Sequence, residues 1–138
     1  MDRTFQACRS LKSIDLSHFT LSEVKKIDYL FESCEILEDI KFGNTKTAPL
    51  DTMVGVFASC KKLTSIDLTH FDTSPVKNME RTFDGCNGPP TADAPSRETP
   101  NVESFFAFFS GCSQLTSIDI SNFDTSKAKS FHYMFNDC

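Results

Sequence analysis

Six cysteines, Cys8, Cys34, Cys60, Cys86, Cys112 and Cys138, divide the chain at one constant interval of 26 residues. A phenylalanine stands three residues before each: Phe5, Phe31, Phe57, Phe83, Phe109 and Phe135. A fixed period of this length marks a stack of like units, not a single closed core. Aligning the chain on that period gives further columns. Met1, Ile27, Met53, Met79, Phe105 and Phe131 precede the ladder phenylalanines, and Leu11, Leu37, Leu63 and Leu115 follow the cysteines. Pairs at spacing two come next: Ile14 with Leu16, Ile40 with Phe42, Ile66 with Leu68, and Ile118 with Ile120. Phe19, Phe71 and Phe123 end the apolar part of a unit, before Val24, Leu50, Val76, Val102 and Ala128.

The rhythm changes within each unit. "NMERTFDGC" spaces its apolar residues by three and four, which predicts a short helical segment. "LTSIDL" alternates, which predicts a strand with one buried face. "SNFDTS" is made of turn formers. One strand and one short helix cannot bury their own apolar face, but stacked copies can. The expected fold is an α/β repeat: a solenoid of 26-residue units, each with a short strand in a parallel sheet and a short helical segment. Residues 1–138 read as a single array, five units and the start of a sixth, with the unit around 87–101 degenerate. That unit, "CNGPPTADAPSRETPNV", loses the Leu, the Ile pair and the Phe, and Pro cannot donate to a ladder. Unit two also departs, reading "IKFGNTKTAPL".

Composition narrows the function. A net charge of −5 argues against nonspecific nucleic-acid binding. No apolar run is long enough to span a bilayer, and the start shows no secretion signal. No nucleophile, base and oxyanion site assemble, and no phosphate loop occurs, so an enzyme is not expected and no cofactor is implied. His18 and His70 share a column two units apart, too far to share a ligand. No two cysteines are near in sequence, so no metal site is expected. Cysteines stacked side by side suit a buried, reduced structural ladder better than cross-links, which remain the alternative.

The remaining candidates face outward. Between the inward strand residues stand Asp15, Lys41, Asp67, Asp93 and Asp119. They form either a recognition stripe for a basic partner or a solvated face whose carboxylates tie local backbone. One Asp per unit does not supply the oxygens that calcium needs. Thr47, Thr73, Thr99 and Thr125 form a hydroxyl column that turn chemistry explains.

The stretches "VFASCKKLTSIDLTHFDTSPVKNM" and "FFSGCSQLTSIDISNFDTSKAKSF" resemble the BspA-like leucine-rich-repeat surface proteins over the whole chain. The resemblance implies a leucine-rich-repeat solenoid in a cell-surface or extracellular protein. It also implies adhesion to host or cell-surface proteins through unidentified protein partners, and no catalytic residues. The alternative is a structural spacer that presents another domain. Neither end carries a polar cap, so the chain is expected to be a segment of a longer array, or to meet other copies end to end.

Overall fold

A computed structural model of the chain describes residues 1–87, 91–92 (backbone only), 99–118, 120–121 and 123–138. Its elements are β1 (Ser13–Leu16), β2 (Asp39–Phe42), β3 (Ser65–Ile66), a single 3₁₀ turn (Leu68–His70) and β4 (Thr91–Ala92). Strands pair in parallel one repeat apart, Ser13 opposite Asp39 and Ser65 opposite Thr91. The units therefore stack as coils.

The expected helical segments do not form, and no α-helix occurs among the described residues. The chain is not an α/β solenoid with helical segments. In place of each helix lies a rung of overlapping turns. In the first rung, Thr4, Gln6 and Cys8 N–H donate three residues back, to Met1, Arg3 and Phe5. The alternate amides, of Arg3, Phe5 and Ala7, leave the rung and donate to Asp28, Leu30 and Glu32 of the next coil, at 3.0, 3.0 and 2.7 Å. The same positions repeat the bond in every later coil: Phe31 to Val56, Phe57 to Thr82, Phe83 to Phe108, and Phe109 to Met134. A helix would keep all these bonds inside a segment too short to hold itself together. The rung spends every second donor on joining its neighbour.

This alternation needs left-handed backbone on both sides of each ladder Phe. Arg3 and Ala7 have φ of 54° and 59°, Tyr29 and Ser33 of 55° and 61°, and Gly55 and Ser59 of 59° and 60°. Each such residue other than Gly costs about 1 kcal/mol. Gly55 avoids that cost, and a Cβ there would also lie 2.6 Å from the Tyr29 ring.

Most of the expected columns line the interior, although Ile120 and Phe131, both expected inward, are exposed. Phe5, Phe31, Phe57, Phe83, Phe109 and Phe135 stack nearly parallel, with successive centroids 5.3, 5.9, 5.5, 5.8 and 5.7 Å apart. Phe31, Phe57, Phe83 and Phe109 are buried, whereas Phe5 is half-buried and Phe135 exposed, since each of these has a neighbour on one side only. Phe19 does not join the interior. It is 51% exposed, because the next coil offers Thr45 in its column. Phe42 covers the gap from the other side, edge-on to Phe71 at 5.3 Å and stacked on His70 at 5.0 Å.

All six cysteines are free. Cys34, Cys60, Cys86, Cys112 and Cys138 each donate Sγ–H to the ladder-Phe carbonyl of the preceding coil, at 3.0–3.4 Å. Cys34, Cys60, Cys86 and Cys112 are buried, and Cys8 and Cys138 on the end rungs are exposed. Burial pushes the Cys34 thiol up to about 11 and the Cys112 thiol up to about 12. It raises Cys60 and Cys86 as well.

The strand half is less regular. β1–β2 and β3–β4 are separate pairs. Between the second and third coils the chain is held lower down, by Thr47 N–H to the His70 carbonyl and Leu50 N–H to the Asp72 carbonyl, both at 2.9 Å. Gly43 permits the close approach of coils one and two, since a Cβ there would lie 2.5 Å from the Ser17 carbonyl oxygen. The degenerate unit still pairs at Thr91–Ala92. The rest of its proline-rich stretch, residues 88–90 and 93–98, lies outside the described residues.

Candidate functional site

The outward stripe sits on the strand half. Asp15 and Lys41 face each other across β1 and β2, and Asp67 follows β3; all three are exposed. Asp93 and Asp119 lie outside the described residues. Alternation along the strand aims these side chains away from the core.

The carboxylates are already engaged. Asp15 Oδ1 accepts from Ser17 N–H at 2.8 Å, and Oδ2 accepts from Lys41 Nζ at 3.0 Å. The Ser17 bonds first, and Lys41 second, hold the Asp15 carboxyl far below the usual range. Asp67 Oδ1 accepts from Thr69 N–H at 2.8 Å and caps the 3₁₀ turn, while Oδ2 lies 3.3 Å from His70 Nε2. Those Thr69 bonds lead the lowering of its pKa, with His70 a smaller contribution. Asp72 and Asp124 cap the next turn in the same way, receiving Ser74 and Ser126 N–H at 3.1 and 3.0 Å. Each of these aspartates ties its own backbone two residues on, which is the local use that Asp serves in turns.

Like charges do not stack at the described stripe positions. Lys41 pairs with Asp15, and the same alternation recurs elsewhere. Glu35 lies between Arg9 at 3.7 Å and Lys61 at 2.8 Å, Lys12 faces Glu38 at 3.4 Å, and Lys129 faces Glu103 at 2.5 Å. Each pair spans one repeat, as do Lys127 with Asn101 and Gln6 with Glu32. Sequence reasoning missed these pairs, although the signal was present: opposite charges occupy successive places in one column. They place complementary charges where sheet spacing would otherwise bring like charges together.

No group of three metal-ligating side chains converges among the described residues. His18 is exposed, His70 belongs to the Asp67 turn, and His132 stacks on Phe106 at 6.2 Å. The Thr column is tied between coils: Thr47 Oγ1 accepts from Asp72 N–H at 3.0 Å, and Thr99 Oγ1 donates to the Asp124 carbonyl at 3.1 Å. Among the described residues, no helix is long and apolar enough to cross a membrane.

The sequence pattern of the family described as "Mycoplasma protein of unknown function, DUF285" matches residues 1–89 and 92–138. The chain belongs to the DUF285 family. No curated protein and no solved structure matches it. In this DUF285 chain, what stays constant from coil to coil is internal: the Phe rings, the thiols and the rung amides. What changes is external. The outward positions after the cysteines read Lys12, Glu38, Thr64 and Thr116, beside the stripe.

Proposed function

We propose that this DUF285 chain is a protein-recognition module of a cell-surface or secreted protein, acting in adhesion to host or cell-surface proteins. The observation that carries the reading is the division between a constant interior and a varied polar exterior. A ladder whose apolar and hydrogen-bonding needs are met inside leaves its exposed side chains free to differ between coils, as the concave and lateral faces of repeat proteins do. The resemblance to BspA-like surface proteins supports the setting, and the free choice at Lys12, Glu38, Thr64 and Thr116 supports binding by side chains rather than by a pocket.

The test is a binding assay of the purified chain against immobilised extracellular-matrix and cell-surface proteins. An Asp15→Asn, Asp67→Asn variant runs beside it. Asn keeps a carbonyl oxygen for the Ser17 and Thr69 amides and removes only the charge. Saturable binding that this variant weakens, most clearly at low salt, places recognition on the stripe. Absence of binding to the whole panel by folded protein moves the reading to the second one. That reading is a spacer that presents another domain, favoured by the charge pairs that bolt coil to coil at Glu35, Lys41 and Glu103.

A further inference from the structure

The turn half of every interface is made of the same parts. Rung amides donate to backbone carbonyls, and ladder rings meet ladder rings, at each step of the stack. These contacts do not tell coil one (1–26) whether it rests on coil two (27–52) or on coil three (53–78). With coil two passed over, Phe5 would meet Phe57 in place of Phe31. The amides of Arg3, Phe5 and Ala7 would meet the carbonyls of Val54, Val56 and Ala58, which now serve Tyr29, Phe31 and Ser33. Leaving one coil out as a loop is no strong barrier, because closure entropy grows only with the logarithm of loop length. Misassembly of like units is a characteristic failure of repeat proteins.

The exterior does distinguish the coils. In three columns, coils one and three carry one sign and coil two the other: Arg9, Glu35 and Lys61; Asp15, Lys41 and Asp67; Lys25, Asp51 and Lys77. Glu35 lies 3.7 Å from Arg9 and 2.8 Å from Lys61, and Lys41 lies 3.0 Å from Asp15. In the native order all three columns bring opposite charges together. With coil two passed over, all three bring like charges together: Arg9 against Lys61, Asp15 against Asp67, and Lys25 against Lys77. The third column runs on through Glu103 and Lys129, so passing over coil three or coil four also sets like charges together there. Sterics act in the same direction at the first interface. Gly43 lies where a Cβ would be 2.5 Å from the Ser17 carbonyl oxygen, and coil three has Thr69 in that column.

We propose that the alternating columns form a stacking code, which selects the sequence neighbour of each coil during folding over the coil beyond it. Exposed pairs add little to the finished stack. They act when only one interface has formed and its net stability is small, and like charges set directly opposite are then destabilising. The interior supplies the attraction between any two coils, and the exterior supplies the order.

Refolding from urea under reducing conditions, with pulsed hydrogen exchange, tests this on the wild type at low and high salt. A brief unfolding step, too short for proline bonds to equilibrate, removes the slow phase that isomerisation would add. High salt screens the code. It is expected to raise, several-fold, a slow-refolding fraction in which Arg3, Phe5 and Ala7 gain protection before Tyr29, Phe31 and Ser33. A Glu35→Lys, Lys41→Glu, Asp51→Lys variant gives coils one to three the same signs and leaves the Asp15 and Asp67 caps in place. It should show that fraction already at low salt. A wild-type slow fraction unchanged by salt overturns the proposal. So does a slow fraction in which coils one and two gain protection together, since coil two is then in its place. If the variant fails to fold, the wild-type comparison decides.

Discussion

The two halves of each coil solve the same packing problem differently. The turn half repeats its bonds at every interface, from Phe5 with Leu30 to Phe109 with Met134. The strand half holds in pairs, β1 with β2 and β3 with β4, and between the second and third coils by Thr47 and Leu50 N–H and the Thr47 hydroxyl instead. The difference follows from what each half needs from its sequence. The rung asks for one Phe, one Cys and two positions that tolerate positive φ, and every coil supplies them. The strand asks for inward apolar residues and free amides, and the second and fourth coils withhold some of these. A stack can vary along one side when the other side is invariant.

Alkaline titration should break the turn half first and produce the largest effect. An unfolded thiol ionises near its ordinary value of 9.0, whereas Cys34 holds its proton to about 11. For Cys112 the corresponding value is about 12. In that window the native state binds more protons than the unfolded state, so stability falls as pH rises. Stability is complete below pH 9, and the urea midpoint is expected to drop steeply from there toward pH 11. A Cys34→Val, Cys112→Val variant should show a shallower drop; an equal slope would remove the thiols as its cause.

Truncating one ring compares the halves directly. Phe57→Ala removes a ring stacked on Phe31 and Phe83, and is expected to cost about 3–5 kcal/mol in urea unfolding. Ile14→Ala, at a half-buried strand position, should cost about 1–2 kcal/mol. Equal costs would mean that the strand half carries as much as the rung. Gly55→Ala comes next, at about 2 kcal/mol from positive φ and the Tyr29 clash together. Adding Tyr29→Ala should return part of that loss, and strict additivity of the two would show that the clash is not felt.

Cys60→Ser is expected to cost about 1 kcal/mol. The hydroxyl still has the Phe31 carbonyl to donate to, but it is shorter than the thiol and adds polarity to an apolar column. Its thermal midpoint against that of Cys60→Ala separates the hydrogen bond from the packing. The smallest shift belongs to Lys41→Ala, which removes an exposed pair from the strand half. It should vanish in high salt, because exposed pairs are screened.

The sequence alone determined the repeat, its interval and its interior. Phe, Cys, Leu and Ile recur at positions that only stacking can bury, and the structure places the Phe and Cys columns inside the stack. The positive-φ position before each cysteine carried a signal that the helical expectation passed over. It reads Ala7, Ser33, Ser59, Gly85, Gly111 and Asp137, residues that are small or at home in turns. The salt-bridge columns were legible in the same way, as opposite charges one repeat apart. The conformation of the rung was decided only by the tertiary structure. Apolar spacing of three and four fits a helix and a train of overlapping turns equally, since both bring those side chains to one face. What separates the two is where alternate amides find acceptors. In a lone unit the next coil's carbonyls do not exist. In the stack Leu30, Val56, Thr82, Phe108 and Met134 present them at every step, and the chain turns left-handed to reach them.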